Sequence, residues 1–303
     1  MTGWLPRQAA VLCGGRGIRL RPYTDTTPKP MVEVASRPFL EHLLRQLSGQ
    51  GVDRFVLMTG YLGEQIEEYF GTGSRLGWDI EYSHGPADWD TGRRVVEAAG
   101  LLDASFFLLY SDNFAPVDLG ALAERHETTG RSLTVTLKPK TGGNIRYSQR
   151  SDVTAYDPTR SAQGLNHVEI GYMLVERDAT LRILETVDGY PDVALSEMLR
   201  LAAEMNELGG LSTGGTYYSV SDPHRLELTR DYLSPKKILL MDRDGTISRK
   251  LETGQYVETW EQFEFVPETV RAMRKLADHG FEFIVITNQA GIALGVVEEI
   301  EVN

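Results

Sequence analysis

Residues 14–22 read Gly14-Gly15-Arg16-Gly17-Ile18-Arg19-Leu20-Arg21-Pro22, and Thr27-Pro28-Lys29-Pro30-Met31 follows shortly after. Glycines at a turn let backbone N–H groups approach an anion with no Cβ in the way. Arg16, Arg19, Arg21 and Lys29 add fixed positive charge to the same stretch. The apolar run Gln8–Cys13 enters it, as a buried strand enters a loop. These residue types in this order fit a polyphosphate. Transfer chemistry on such a ligand is mostly positioning plus neutralisation of charge on non-bridging oxygens. The Walker A form would end in Gly-Lys-Ser/Thr, and that form and the Rossmann GxGxxG are both absent.

The stretch resembles the signature of the sugar-1-phosphate nucleotidyltransferases, close to G-G-x-G-[ST]-R-L-x-P-x-T-x-x-x-P-K-P. From Gly14 to Pro30 only Ile18 departs, replacing a hydroxyl residue. The resemblance implies that Leu12, Gly14, Gly15, Arg16 and Gly17 hold the nucleotide, and that Arg19 and Lys29 stabilise the charge of transfer. It implies a magnesium-binding Asp at the end of a strand. Asp112 in Tyr110-Ser111-Asp112-Asn113 fits, following the apolar run 106–110 and standing where open α/β sheets bind ligands. Asp90-Thr91-Gly92 partly matches the family's base-recognition turn, with Thr91 and Gly92 as nucleotide contacts. Val168-Glu169-Ile170-Gly171-Tyr172 is similar to the sugar-site strand, with Glu169 and Gly171 facing the sugar.

Two departures stand out. The second metal ligand of the family falls on Ser219 in Ser219-Val220-Ser221-Asp222-Pro223, which leaves Asp222 or water to replace it. The lysine that contacts the sugar phosphate has no clear counterpart. Gln163 and Asn166 lie nearby, and Lys138 and Lys140 are spare cations. Cys13, beside the loop, reads as a small buried strand-end residue, with a reactive thiolate as the alternative.

A second constellation follows the apolar run 238–241: Asp242-Arg243-Asp244-Gly245-Thr246. It resembles motif I of haloacid-dehalogenase-type (HAD-like) phosphatases, in which the first Asp attacks phosphate and the second is the acid/base. Thr287-Asn288-Gln289 resembles motif II, and the stretch through Gly291-Ile292-Ala293 is similar to the heptose-bisphosphate and histidinol-phosphate phosphatase branch. That family also needs a later lysine and a later acidic pair, which the 303 residues do not supply. Asp242, Asp244 and Thr287 are therefore expected to be a vestigial phosphatase site in an incomplete module. Such a module would pack against the transferase or a second subunit.

The elements that must position these residues alternate between strand and helix. Residues 55–58 and 106–110 read as buried strands, and 38–47, 62–70 and 119–126 as helices. From residue 132 the pattern turns to alternation, as in Leu133, Val135 and Leu137, and predicts an antiparallel extension through 153–157 and 168–176. A helix at 194–205, a strand at 217–220 and a helix at 223–231 capped by Asp222 close the region. Beyond a linker at 234–237, a strand, a helix from Pro267 and a strand at 283–286 follow. The expected fold is an α/β protein with a Rossmann-like, mixed but mostly parallel sheet and a partial second α/β module. Residues 1–233 would be the transferase domain and 234–303 the incomplete phosphatase-like segment.

Composition narrows the function. The 31 Lys and Arg against 43 Asp and Glu leave a net charge of −12 without a basic block, which disfavours nucleic acid. No apolar run reaches the roughly 18–20 residues of a membrane span. Residues 1–7 lack signal-peptide character, and one cysteine excludes an internal disulfide. The expectation is a cytoplasmic, Mg²⁺-dependent enzyme that transfers a nucleotidyl group from an NTP to a sugar 1-phosphate, releasing pyrophosphate. GTP is the first choice of donor, with CTP, ATP and dTTP open. The acceptor would be a heptose or cyclitol phosphate or a related sugar, and the resemblance implies a homo-oligomer. A sugar-phosphate phosphatase acting through Asp242 and a weakened nucleotide-sugar binding subunit are the alternatives.

Overall fold

Why the first helix forms is visible in its spacing. In α1 (Phe39–Ser48) the side chains of Phe39, Leu40, Leu43, Leu44 and Leu47 are all fully buried. Its N-cap, Pro38, offers no side-chain hydrogen bond. Burial worth roughly 1.5–3 kcal/mol per large apolar side chain therefore holds this helix rather than capping. The same logic, apolar faces laid on a central sheet, runs through the N-terminal part of the chain. This computed structural model describes residues 4–150, 152–252, 255, 257 and 259–288. The chain divides into two compact units, Met1–Leu233 and Ser234–Asn303.

In the first unit the described strands β1 (Gln8–Cys13), β2 (Arg54–Thr59), β3 (Asp79–His84), β4 (Ser105–Tyr110), β5 (Leu133–Pro139), β6 (Ile145–Ser148), β7 (Asp152–Tyr156), β8 (His167–Glu176) and β9 (Leu208–Ser212) form one nine-stranded sheet. The order β7-β6-β8-β4-β1-β2-β3 is parallel from β4 to β3, and β8 turns antiparallel against β4. β5 also pairs antiparallel with β8, and β9 runs parallel to β5. The parallel half and the antiparallel extension are as the sequence pattern predicts.

β1 is buried along its whole length. Ala9, Val11 and Cys13 pack with α1, α2 (Gly63–Phe70) and α4 (Leu119–Thr129), while Ala10 and Leu12 pack with α3 (Thr91–Glu97), α5 (Arg177–Glu185) and α6 (Leu195–Glu204). Cover on both faces is why the strand reads as a continuous apolar run. It also fixes the ends of β1, β2 and β4 along one edge, with their loops in reach of one another. Elements that go beyond the sequence reading include β3, β6, α5 and β9. At 217–220 the strand shrinks to Tyr218–Ser219, paired antiparallel with Asn113–Phe114. α7 (Pro223–Leu233) then begins under an Asp222 cap, with Arg225 N donating to Asp222 Oδ1 at 2.9 Å.

In the second unit β10 (Lys237–Asp242) and β11 (Phe281–Ile286) are a parallel pair, with α8 (Pro267–Asp278) between them in sequence. Leu240 is 60% exposed and Ile286 56%, so apolar side chains of this pair face outward. Gln289 and Gly291, Ile292 and Ala293 of the second motif lie outside the described residues. No helix among the described residues is long and apolar enough to cross a membrane.

Candidate active site

Gly14 begins the loop that leaves β1. Behind it lies Arg94 of α3, so close that a Cβ on Gly14 would overlap the guanidinium. Gly17 takes φ +62 to start a single 3-10 turn, Ile18–Leu20, and Thr24 Oγ1 donates to its carbonyl at 2.9 Å. A side chain at Gly17 would be strained in that conformation and would press on Thr24 and Lys29. Tyr61 OH donates to the Thr24 carbonyl at 3.1 Å, and the Arg16 guanidinium lies 5.6 Å from the Tyr61 ring centre. The loop is thus pinned from outside, leaving its inner side open.

The open side is a cleft of about 190 Å³ whose lining includes Leu12, Gly14, Gly15, Lys29, Thr91 and Asp112. Lys29 Nζ and the Asp112 carboxylate are in direct contact there, both largely buried. Ser111 Oγ donates to the Leu12 carbonyl at 2.6 Å and locks the end of β4 to that of β1. Arg16, Gly17, Arg19 and Lys29 line an adjoining cleft of about 270 Å³ together with Ser221. Ile18, the departure from the signature, is 63% exposed.

Other expected residues sit differently. Gly92 is buried in α3, its N–H donating to the Val193 carbonyl at 2.8 Å, and a Cβ there would meet that oxygen at 2.7 Å. It serves close packing and does not line the cleft. Thr91 does, while its Oγ1 accepts from Leu195 N at 2.8 Å. Gly171 has φ +92 at the irregularity in β8, where a Cβ would stand 2.8 Å from Asn113 Nδ2. The Glu169 carboxylate accepts from Gly171 N. Burial pushes its pKa up to about 7, the Gly171 N–H opposes this, and the negative charge of Asp112 adds to it. Glu169 and Asp112 therefore share one neighbourhood.

Asp222, expected both as the cap of α7 and as a candidate metal ligand, forms that cap. One oxygen takes Arg225 N and the other accepts from Ser221 Oγ at 3.1 Å. Among the described residues no group of three or more His, Cys, Asp or Glu side chains is placed to hold a metal. A single carboxylate still fits Mg²⁺, which is held by one or two carboxylates plus substrate phosphates rather than by an all-protein cage. Cys13 is buried, and burial pushes its thiol pKa up to about 12, which favours the small core residue over a reactive thiolate.

Sequence reasoning missed Arg94, which is 4% exposed. Nη1 donates to the Thr59 carbonyl at 2.7 Å, and Nη2 donates to Pro86 at 2.7 Å and Gly14 at 3.5 Å. One cation thus ties three loops that wall the cleft. Its signal was a charge on the helix face of buried Val95 and Ala98, four residues before the latter. In the C-terminal unit, Asp242 is level with Ile286, and Thr287 Oγ1 donates to Asp244 at 3.1 Å.

Residues 8–145 match the family model described as Nucleotidyl transferase. The chain is 32% identical over 180 residues to the mannose-1-phosphate guanylyltransferase of Mycobacterium tuberculosis, covering 58% of this chain and 50% of that one. It is 36% identical over 133 residues to the D-glycero-alpha-D-manno-heptose 1-phosphate guanylyltransferase of Aneurinibacillus thermoaerophilus, covering 44% and 57%. The chain thus spans about half the length of these two relatives. Among solved structures, UDP-glucose pyrophosphorylase from Acinetobacter baumannii aligns with a TM-score of 0.63 at 16% identity, over 75% of this chain and 92% of that one. HddC from Yersinia pseudotuberculosis complexed with GMP-PN aligns with a TM-score of 0.60 at 17% identity, over 76% and 100%. The fold is the mixed, mostly parallel α/β sheet of the nucleotidyltransferase type.

Proposed function

We propose that this chain transfers a nucleotidyl group from an NTP to a sugar 1-phosphate, giving an NDP-sugar and pyrophosphate. The observation that carries this is the meeting of Lys29 and Asp112 beneath the glycine loop, at the carboxyl ends of β1 and β4. The amides of residues 14–17 would hold the triphosphate. Arg16 and Arg19 would neutralise its outer oxygens from the adjoining cleft. Lys29 would face the α-phosphate, where charge grows as the acceptor oxygen attacks in line and pyrophosphate leaves. Asp112 would hold Mg²⁺, which when bound offsets charge on the triphosphate oxygens. Glu169 would accept from an acceptor hydroxyl, with Gly171 keeping that wall of the site free of a side chain.

GTP is the preferred donor in this reading, supported by the two guanylyltransferase relatives and by GMP-PN in the HddC structure. A heptose 1-phosphate is the acceptor the second relative favours. The reading also takes the enzyme as a cytoplasmic homo-oligomer. A matrix of four NTPs against mannose, glucose and heptose 1-phosphates with Mg²⁺, read by pyrophosphate release, tests it. Turnover with GTP and at least one acceptor is expected. Nucleotide binding with no turnover in any pair would replace it with a binding subunit.

A second reading concerns the C-terminal unit alone, as a HAD-like module. The register that sets Asp242 level with Ile286 puts Thr287 just past the end of β11, hydrogen-bonded to Asp244, and this arrangement favours phosphate-ester chemistry there. Phosphate release from a sugar bisphosphate that vanishes in Asp242→Asn would support it, and its absence would leave the module vestigial.

A further inference from the structure

Ser219 stands where the signature of the family places a carboxylate, and the structure shows a cation beside it. Ser219 is 2% exposed and pairs in register with Asn113, the residue after Asp112. Val220 N donates to the Asp112 carbonyl at 3.0 Å, so this segment is stitched to the strand end that carries the site carboxylate. Arg225, in the first turn of α7, sends Nη1 to Ser219 Oγ at 3.3 Å and to Tyr217 OH at 3.4 Å. Its guanidinium lies 5.5 Å from the centre of the Tyr217 ring, and Lys138 Nζ lies 6.0 Å from the same centre.

These positions have a consequence in charge. Among the described residues Arg225 has one ion pair, with the α7 cap Asp222, at 3.8 Å, too long for a hydrogen bond. The guanidinium side chain keeps 41% of its surface exposed. The hydrogen bond to Tyr217 raises the pKa of Arg225 against the effect of burial, and the charges of Asp222 and, least, Asp112 add to the rise. A guanidinium has five donors in a flat fork suited to phosphate oxygens. Neutral hydroxyls of Ser219 and Tyr217 aim that fork without cancelling its charge, as a carboxylate at Ser219 would.

We propose that Arg225, with Lys138 beside the same tyrosine ring, is the contact for the phosphomonoester of the acceptor, taking the place of a second carboxylate-held cation. This rests on the nucleotidyl-transfer reading and adds to it where the acceptor phosphate is seated. It also accounts for Ser219: an Asp there would pair with Arg225 and withdraw it from the ligand.

The test uses the full chain and inorganic phosphate as the probe, titrated calorimetrically in EDTA with GDP present to occupy the donor cleft. Arg225→Gln is expected to weaken phosphate binding about tenfold or more, and Arg225→Lys by a smaller factor, because one charge-assisted fork is lost or reduced to a point charge. Ser219→Asp should weaken it about as much as Arg225→Gln in EDTA, and GDP affinity should stay within about twofold in all three. Unchanged thermal unfolding of Arg225→Lys guards against a folding defect. Phosphate affinity of Arg225→Gln equal to that of the parent overturns the proposal, as does an equal loss of GDP affinity, which would assign Arg225 to the donor. If phosphate binding depends on Arg225 while no NTP and acceptor pair turns over, the seat stands and the transfer reading falls. If transfer is found and Arg225→Gln leaves the acceptor KM unchanged, the transfer reading stands and the seat falls.

Discussion

Lys29 and Asp112 form an ion pair in the cleft, and in the proposed reaction they would face a triphosphate and its counter-ion. Preorganised charge of this kind typically contributes several kcal/mol to a transition state. Lys29→Ala and Asp112→Ala are each expected to lower the rate of pyrophosphate release by about 10²-fold or more. Wild-type-like rates in both would remove them from the site. Glu169 makes a prediction with a pH sign. Its pKa of about 7 lies above the 4.5 of an ordinary glutamate, so the folded chain holds this proton more tightly than the unfolded one. Its contribution to stability is therefore full below pH 4.5, falls as pH rises to about 7 and is level above. Glu169→Gln should remove that slope and raise stability at pH 8 by about 2 kcal/mol, measured by urea unfolding at pH 4.5 and 8. A parallel pH dependence in both proteins would mean that Glu169 is not the buried acid. Lys29, Asp112 and the glycine loop were legible in sequence because each lies in a local motif. Arg94 was not, because it acts on segments brought together only by the sheet, and Arg225 was not, because no motif marks its contacts with Tyr217 and Ser219.

At the scale of elements, the glycine loop depends on a helix some 80 residues away in sequence: Arg94 of α3 reaches the Gly14 carbonyl. Arg94→Ala removes one of two donors from each of the carbonyls of Thr59 and Pro86, which keep Gly85 N and Trp89 N, and opens a hole behind Gly14. A loss of about 2–4 kcal/mol is expected. Gly14→Ala should cost about 1–3 kcal/mol by pushing the guanidinium aside. Since both changes break the same contact, the double variant should be less damaged than the sum, by at least about 0.5 kcal/mol in chemical denaturation. Strict additivity would show that loop and helix are independent. Three of the elements that the pattern failed to reveal differ in their local signals. β3 (Asp79–His84) alternates charge with apolar residues as a sheet-edge strand, α5 (Arg177–Glu185) opens on charged residues, and β9 carries Gly209-Gly210, which reads as a turn. β9 forms because its glycines fit against neighbours: a Cβ on Gly210 would meet Leu137 Cδ1 at 2.6 Å. Tertiary fit overrides local propensity there.

For the whole molecule, the −12 charge would oppose a triphosphate at long range, while in the proposed reaction Arg16, Arg19 and Lys29 would attract it locally. Exposed charges are screened beyond roughly 8–10 Å at physiological salt, so the acidic background fades with added salt before the buried Lys29–Asp112 pair does. The apparent KM for NTP should therefore change less than about threefold between 50 and 200 mM salt, far less than in a binder that relies on surface cations alone. The two units make a separate prediction. Asp242 belongs to Ser234–Asn303, whereas each residue assigned to transfer belongs to Met1–Leu233. The Asp242 carboxylate Oδ1 accepts from the N–H of Arg243, within its own loop. Asp242→Asn keeps that acceptor and the side-chain volume, so it should leave pyrophosphate release within about twofold of the parent. A tenfold change in kcat, with thermal unfolding unaltered, would show that the second unit bears on the transfer site and would make the C-terminal module part of the enzyme rather than an attachment to it.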